Sequence, residues 1–221
     1  MDTVPVLTGY LFLGAGFGIL LAEQTGKGPL WAFLMALFVF AGSGQYLAVE
    51  LLRDSTDLVS AAVATFLVNA RHIFYGICLL DAYKNAGLKK LYMIFGLTDE
   101  TYSLVTQKKP PEGMSRQRYC LLVTVLNHGY WIAGCVLGNL AGNYIPINFQ
   151  GVEFVLTALF VTMFVEQWLS SKNHLPALIG VGSTVICLAL IGRDYFLIPS
   201  MVLIALLLIV TRNIRRKRHE A

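Results

Sequence analysis

The sequence has few charged residues. Only 14% of its 221 residues are Asp, Glu, Lys or Arg, whereas a soluble domain carries about 25%. Apolar residues make up 56% of the chain, and its mean hydropathy is +0.64. This scarcity of charge excludes an ordinary soluble domain and predicts an integral membrane protein.

Two other common signatures are missing. The four cysteines lie within apolar runs and lack the short paired spacing of zinc or thioredoxin-like sites. We interpret them as packing residues and predict neither a metal nor a cofactor. The sequence also lacks a GxxxxGK[ST] loop, so an ATP-driven permease would require a separate nucleotide-binding protein.

The net charge of +4 comes largely from a basic C-terminus. Its cationic residues are Arg212, Arg215, Arg216, Lys217 and Arg218. Such a cluster is typical of the cytoplasmic flank of a last membrane helix rather than of a nucleic-acid-binding arm. We therefore predict a multi-pass protein of the inner (plasma) membrane, surrounded by the lipid bilayer, with its C-terminus in the cytoplasm and no nucleic-acid partner.

A membrane crossing needs about 17–25 mostly apolar residues. Seven runs meet this requirement, near residues 6–22, 30–52, 58–80, 119–142, 152–170, 175–192 and 195–211. The first run follows an acidic residue instead of a basic n-region, so we expect it to stay in the mature chain. We predict an all-α membrane protein with seven transmembrane helices.

An eighth candidate, residues 91–106, is short and carries Asp99 and Glu100. The flanking cations are Lys84, Lys89 and Lys90 before it and Lys108, Lys109, Arg116 and Arg118 after it. Because positive loops favour the cytoplasm, we predict that this segment dips into the membrane and returns. The N-terminus is then outside. The alternative is eight crossings with the N-terminus inside.

The chain also matches itself, which predicts two internal repeats near residues 6–106 and 119–211 of a single polytopic domain, residues 1–221. The glycines at 9, 14 and 18 align with those at 129, 134 and 138. After two extra residues, Arg71 falls on Arg193. Since Arg193-Asp194 separates two apolar runs, we expect a helix interruption near Asn69–His72 too, as in transporters with paired broken helices. The copies are inverted with seven crossings and parallel with eight.

Polar side chains inside apolar runs are candidate site residues, because a charged group at the bilayer centre costs about 2.5–3.5 kcal/mol on insertion scales. The glycines around Ser43 expose backbone groups, and Arg71 offers a planar fork to a carboxylate. The predicted substrate-binding residues are Ser43, Gln45, Asn69, Arg71, His72, Asn127 and Gln167. The alternatives are that Ser43 bonds to its own helix and that Arg71 only forms an internal ion pair with Asp99 or Glu100.

A second set could carry protons or form ion pairs. Its members are His72, Asp99, Glu100, His128, Glu166, Arg193 and Asp194. Thr98-Asp99-Glu100 equally fits a helix N-cap at the interface. A lone histidine near a helix end, such as His128, is more often simply hydrogen-bonded. The glycines spaced by four, at 14 and 18 and at 134 and 138, predict close packing between helices.

These motifs together resemble the AzlC-like family, the large subunit of branched-chain amino acid exporters. The matching stretches are FAGSGQY at 40–46, NARHIFYG at 69–76, LTDET at 97–101 and the region 127–138 with its Tyr130-Trp131 pair. The sequence departs from the family pattern at Gly44 and Tyr46, where alanine and phenylalanine are more usual, and it starts close to its first span, without the basic N-terminal segment of many relatives. We assign no catalytic residues to this sequence from the resemblance.

The resemblance implies export of leucine, isoleucine and valine, with methionine as a further candidate. It implies that the membrane potential or a proton gradient drives export, and that a small AzlD-like membrane subunit takes part. We expect alternating access around the interrupted elements.

The alternatives are an intramembrane serine protease, with Ser43 as nucleophile and His72 or His128 as base, an ATPase-driven permease, and a channel or structural subunit.

Overall fold

The computed structural model describes residues 2–84, 86–145, 151, 154–171, 173–192 and 196–220. Every regular element within these residues is a helix, as the sequence predicts. The helices are α1 (Val4–Thr25), α2 (Pro29–Phe38), α3 (Gly42–Arg53), α4 (Leu58–Asn69), α5 (Arg71–Cys78), α6 (Lys89–Phe95), α7 (Asp99–Gln107), α8 (Arg116–Tyr144), α9 (Phe154–Ser170), α10 (Leu175–Ile191) and α11 (Leu197–Glu220).

Local sequence determines where several helices begin. Prolines occupy the first turns of α1 and α2, where a missing N–H costs no hydrogen bond. The Asp57 carboxylate accepts two backbone N–H groups at the start of α4, each at 3.0 Å. The Thr98 and Ser115 hydroxyls accept one each at the starts of α7 and α8. The N-cap predicted at Thr98 is therefore confirmed.

Two of the described helices, α1 and α8, are each long and apolar enough to cross a membrane. A third candidate consists of α4 and α5 together, which are bent by 42° where they meet at Ala70. The interruption predicted near Asn69–His72 is present at this bend. The total of seven or eight crossings stays a prediction.

The apolar run predicted as one crossing, residues 30–52, is interrupted, because the chain leaves the helical conformation at 39–41. Phe40 has a φ of 36°, a conformation that is costly for a bulky side chain. Two glycines follow immediately, at 42 and 44, and they weaken any helix that would continue through this point. The 91–106 segment is also divided, into α6 and α7.

The chain forms two compact units, Met1–Thr157 and Ala158–Ala221. In the second unit, α10 packs against α11. In the first unit, one buried apolar cluster lies among α1, α2, α3 and α8. Its residues are Tyr10, Phe17, Leu20, Leu21, Ala32, Ala36, Phe40, Tyr46, Val49, Trp131 and Cys135. A second cluster joins α6 and α7 to the first part of α8.

The most extensive helix contact in the described residues is between α1 and α8. A Cβ atom on Gly14 would lie 2.9 Å from the Cys135 backbone nitrogen, and one on Gly134 would lie 2.6 Å from the Tyr10 carbonyl oxygen. A Cβ on Gly18 or Gly138 would overlap backbone atoms of the opposite helix. The close packing predicted from the glycine spacing is confirmed, and it occurs between the two glycine stripes themselves.

The two helices run in the same direction, since contacts along α1 advance together with contacts along α8. The Tyr119 hydroxyl donates to Asp2 at 3.0 Å, and Thr3 hydrogen-bonds to Tyr130 at 3.2 Å. Further along, the Asn139 amide donates to the Gly18 carbonyl at 3.1 Å. The start of α1 therefore lies beside the first turns of α8.

Large apolar side chains are exposed on many helices. The exposed fractions of Phe12, Leu58 and Leu190 are 74%, 88% and 80%. Exposed apolar surface of this extent is costly in water, but it matches the interior of a bilayer.

We predict that Gly138→Ala destabilises the protein and that Gly129→Ala does not. Both glycines lie in α8, but a Cβ at 138 overlaps Ala15, whereas nothing lies within 4 Å of a Cβ at 129. Overpacking should cost about 1–3 kcal/mol at position 138. Thermal unfolding in detergent measures the difference, and equal Tm values for the two variants would contradict the described packing.

Candidate functional site

Two interrupted segments of the first unit lie side by side, and Gly44 marks their contact. A Cβ on Gly44 would lie 3.0 Å from the side-chain nitrogen of Asn69. The first turn of α3, which follows one interruption, therefore lies against the end of α4, which precedes the other. Interrupted helices leave backbone groups unpaired, so both places need new partners.

α8 supplies a partner for the last turn of α2. The Nε2 atom of His128 is 3.1 Å from the Ala36 carbonyl, and its Nδ1 atom is 2.8 Å from the Tyr92 hydroxyl. Because a carbonyl can only accept, Nε2 carries a hydrogen. The His128 ring also stacks on Phe40 with 4.3 Å between ring centroids, so it supports the strained residue directly.

Gln45 performs the matching role at the start of α3. Its side-chain oxygen accepts the Ala41 backbone N–H at 3.3 Å and the Trp131 indole N–H at 2.7 Å. His128 and Trp131 are three residues apart on α8 and therefore lie on one face of that helix. α8 thus stabilises both ends of the interruption at 39–41.

At the second interruption, the His72 side chain compensates for the broken helix. Its Nδ1 atom is 2.9 Å from the Asn69 carbonyl oxygen, which the bend has freed from the regular α-helical pattern. The Asn69 side-chain nitrogen donates to the Thr65 carbonyl at 2.9 Å.

Arg71, the first residue after the bend, connects three helices. One Nη atom is 3.0 Å from an Asp99 carboxylate oxygen and 3.0 Å from the Ser43 hydroxyl. The side chains of Arg71 and Asp99 are each 27% exposed, so the described residues do not fully enclose the pair. Of the two acids considered from the sequence, Asp99 is the one that pairs with Arg71.

On α3, α4, α7 and α8, several buried polar atoms have no hydrogen-bond partner among the described residues. They are Gln45 Nε2, Asn69 Oδ1, Asp99 Oδ1 and Asn127 Oδ1. An unsatisfied buried group costs about 1–3 kcal/mol. Such a cost is removed when a polar ligand or water binds there, so the arrangement is suited to a small polar molecule.

A second polar group lies beside the first. The Tyr10 hydroxyl donates to Glu100 at 2.7 Å and is 2.7 Å from the Thr98 hydroxyl. Thr98 donates to Thr101 at 3.1 Å, and the Asn127 amide donates to the same Thr101 hydroxyl at 3.0 Å. Glu100 thus interacts with hydroxyl groups, whereas its neighbour Asp99 interacts with a cation.

Other predicted site residues cannot be placed. Glu166 and Gln167 are in α9, but their side chains lie outside what the structure describes, and Arg193 and Asp194 lie outside the described residues altogether. The roles predicted for these four residues stay predictions.

Sequence reasoning missed three side chains of these networks, namely Tyr10, Tyr92 and Trp131. Tyr10 and Trp131 lie in stretches that the sequence singled out for other reasons, next to glycines in α1 and α8. A buried aromatic residue with a polar atom usually needs a partner, which is the signal that could have identified them.

The geometry gives no support to the protease alternative. Ser43 receives its hydrogen bond from Arg71, and within the described part of the chain neither His72 nor His128 is within hydrogen-bond distance of it. A serine nucleophile requires a base at that distance.

Comparison with known proteins gives consistent results. Residues 5–145 match the family described as AzlC protein. The chain is 40% identical over 211 residues to the branched-chain amino acid transport protein AzlC of Bacillus subtilis strain 168, covering 96% of this chain and 83% of that protein.

Other relatives are membrane proteins as well. The chain is 40% identical to an uncharacterized membrane protein of Helicobacter pylori strain 26695, over 96% of this chain and 92% of that protein. It is 25% identical to the inner membrane protein YgaZ of Escherichia coli K12, over 91% and 82% of the two chains. No solved structure is significantly similar to the present chain.

Proposed function

The chain belongs to the AzlC family, and from this membership we propose that it is a secondary transporter that exports branched-chain amino acids. The relative in Bacillus subtilis is named for branched-chain amino acid transport, which supports the substrate class. Leucine, isoleucine and valine are the proposed substrates, with methionine as a further candidate.

The ion pair of Arg71 and Asp99 is the observation that carries the proposal. An amino acid is a zwitterion, so its carboxylate can replace Asp99 as the partner of Arg71 while its ammonium group binds Asp99. Arg71 and Asp99 then exchange partners, and neither charge is left unpaired. An unpaired charge would be costly at membrane depth.

The first turn of α3 strengthens this anion site. The N-terminus of a helix carries partial positive charge and free N–H groups. Ser43 lies in that turn and already receives a hydrogen bond from Arg71. A carboxylate at Arg71 would therefore meet the guanidinium, the Ser43 hydroxyl and the helix terminus together. Gln45 Nε2 is a further donor for the carboxylate, whereas Asn69 Oδ1 is an acceptor suited to the ammonium group.

We expect one apolar pocket to accept several side chains. A difference of one methylene group is worth only about 1–3 kcal/mol of discrimination. Leucine, isoleucine and valine should therefore share the site. The remaining predicted substrate residues of the first unit, His72 and Asn127, would contribute to its polar lining.

The parallel packing of α1 and α8 supports two repeats of the same orientation, and hence eight crossings rather than seven. Asp2 lies beside Tyr119, just after the loop that carries Lys108, Lys109, Arg116 and Arg118. Because such a basic loop favours the cytoplasm, the N-terminus would be cytoplasmic too. An odd number of crossings must then separate α1 from α8, and α2–α3, α4–α5 and α6–α7 provide three.

The site would open alternately to each side of the membrane as one group of helices moves against the other. We propose that the protein works in the plasma membrane with a small AzlD-like subunit, with its basic C-terminus in the cytoplasm. The membrane potential or a proton gradient would drive export.

Arg71→Gln should abolish most transport, whereas Arg53→Gln should not. Arg53 also pairs with an acid, Asp54, but on the exposed surface. Loss of a charge-assisted hydrogen bond of about 1.5–3 kcal/mol predicts a fall of roughly tenfold or more in leucine efflux. Efflux is measured from loaded proteoliposomes, with and without the small subunit.

Equal efflux from the Arg71→Gln and Arg53→Gln proteins would show that the Arg71–Asp99 ion pair is not part of the substrate site. If the unmodified protein moves none of the three amino acids in either preparation, the exporter proposal itself is wrong.

A tag at the N-terminus should be protected from protease added to the outside of intact cells and should become accessible after permeabilisation. Cleavage in intact cells would instead support seven crossings with inverted repeats. A tag at the C-terminus, expected to be cytoplasmic in both topologies, provides the control.

A further inference from the structure

Asp99 pairs with an arginine, whereas its neighbour Glu100 has a hydroxyl group as its partner. The Glu100 side chain is partly buried, and its carboxylate accepts a hydrogen bond from the Tyr10 hydroxyl at 2.7 Å. Among the described residues, no lysine or arginine lies within 4.0 Å of this carboxylate. A carboxylate without a cation is poorly compensated away from water, so binding a proton relieves its cost.

Tyr10 can accommodate both protonation states of Glu100. When Glu100 is ionised, the phenol donates to the carboxylate. When Glu100 is protonated, the carboxylic acid can donate to the phenol oxygen, and the phenol can turn its hydrogen to the Thr98 hydroxyl at 2.7 Å. Thr98 continues the chain to Thr101, so no donor has to be left without an acceptor.

The hydroxyl chain ends at a buried amide that is not fully satisfied. Asn127 is completely buried and donates to Thr101 at 3.0 Å, while its side-chain oxygen has no partner among the described residues. This oxygen is an acceptor available to water or to a bound molecule. The chain therefore connects Glu100 to a position that can exchange hydrogen-bond partners.

We infer that Glu100 is the residue that carries the coupled proton, and this inference rests on the proposed transport function. In each cycle one proton binds the ionised carboxylate from the outside and leaves it to the cytoplasm, while one zwitterionic amino acid moves outward. No covalent bond changes other than that of the proton to the carboxylate, and one positive charge enters the cell.

The neighbouring groups explain how the proton and the substrate could be linked. Tyr10 from α1 and Asp99 on α7 face Glu100, and Arg71 of α5 lies beyond Asp99. α8 contributes the uncharged Asn127 through Thr101. When a substrate takes Arg71 from Asp99, an ammonium group replaces the guanidinium beside Asp99. The position of the cation closest to Glu100 then changes, since the two acids are adjacent in sequence.

The test uses Glu100→Gln in proteoliposomes, with Glu50→Gln as the control because Glu50 is exposed on α3. Two processes are measured, namely leucine transport driven by a pH gradient and exchange of leucine for leucine without a gradient. We expect Glu100→Gln to lose gradient-driven transport and its accompanying proton flux but to keep exchange. Glu50→Gln should keep both.

The inference is overturned if Glu100→Gln still couples leucine to the pH gradient, or if the unmodified protein transports leucine without moving protons. Absence of all leucine transport by the unmodified protein would instead count against the proposed function. If Glu100→Gln does not fold, Glu100→Asp replaces it. Moving the carboxyl away from Tyr10 should change the pH dependence of gradient-driven transport, and an unchanged pH profile also overturns the inference.

Discussion

The backbone contact between α1 and α8 is the constraint on which the first unit depends. Glycines at 14, 18, 134 and 138 allow the two helices to approach more closely than any Cβ atom would permit. In a bilayer, where apolar burial gives little driving force between helices, such close van der Waals contact is a main source of association. It also fixes which face of α8 reaches the neighbouring helices.

That face of α8 makes the interruption between α2 and α3 possible. A break in a membrane helix is tolerated when other groups satisfy the freed backbone. His128 bonds to Ala36, and Trp131 orients Gln45 toward Ala41. At the second interruption, His72 satisfies Asn69 locally. Among the described residues, buried side-chain atoms without a hydrogen-bond partner include Asn69 Oδ1 and Asp99 Oδ1, on either side of Arg71.

Much of this arrangement could be predicted from the sequence. The glycine spacing indicated close helix packing, because that signal depends on residues only a few positions apart. The alignment of Arg71 with Arg193 indicated the interruption near Asn69–His72. The glycines around Ser43 indicated a weak point in the second apolar run, but the sequence did not place the break at 39–41, because apolar residues continue through Phe40. The stacking partner of Phe40, His128, lies far away in the sequence.

Long-range pairing explains the other omissions. Asp99 and Glu100 are adjacent and looked equivalent, yet one contacts Arg71 and the other contacts Tyr10. Helical geometry points neighbouring side chains in different directions, but which partners they meet depends on the packing of α1, α5 and α7. The common direction of α1 and α8 likewise requires the structure, since a match between two segments does not state how they are oriented.

The central claim is that a branched-chain amino acid binds beside Arg71, between the two interruptions. The most direct measurement is alkylation by a maleimide of Ala70→Cys in a Cys78→Ser background, since Cys78 is the exposed native thiol among the described residues. Leucine is predicted to slow this alkylation, and Arg71→Gln is predicted to remove the protection. If leucine leaves the rate unchanged in a protein that still transports it, the substrate binds elsewhere and the account is wrong.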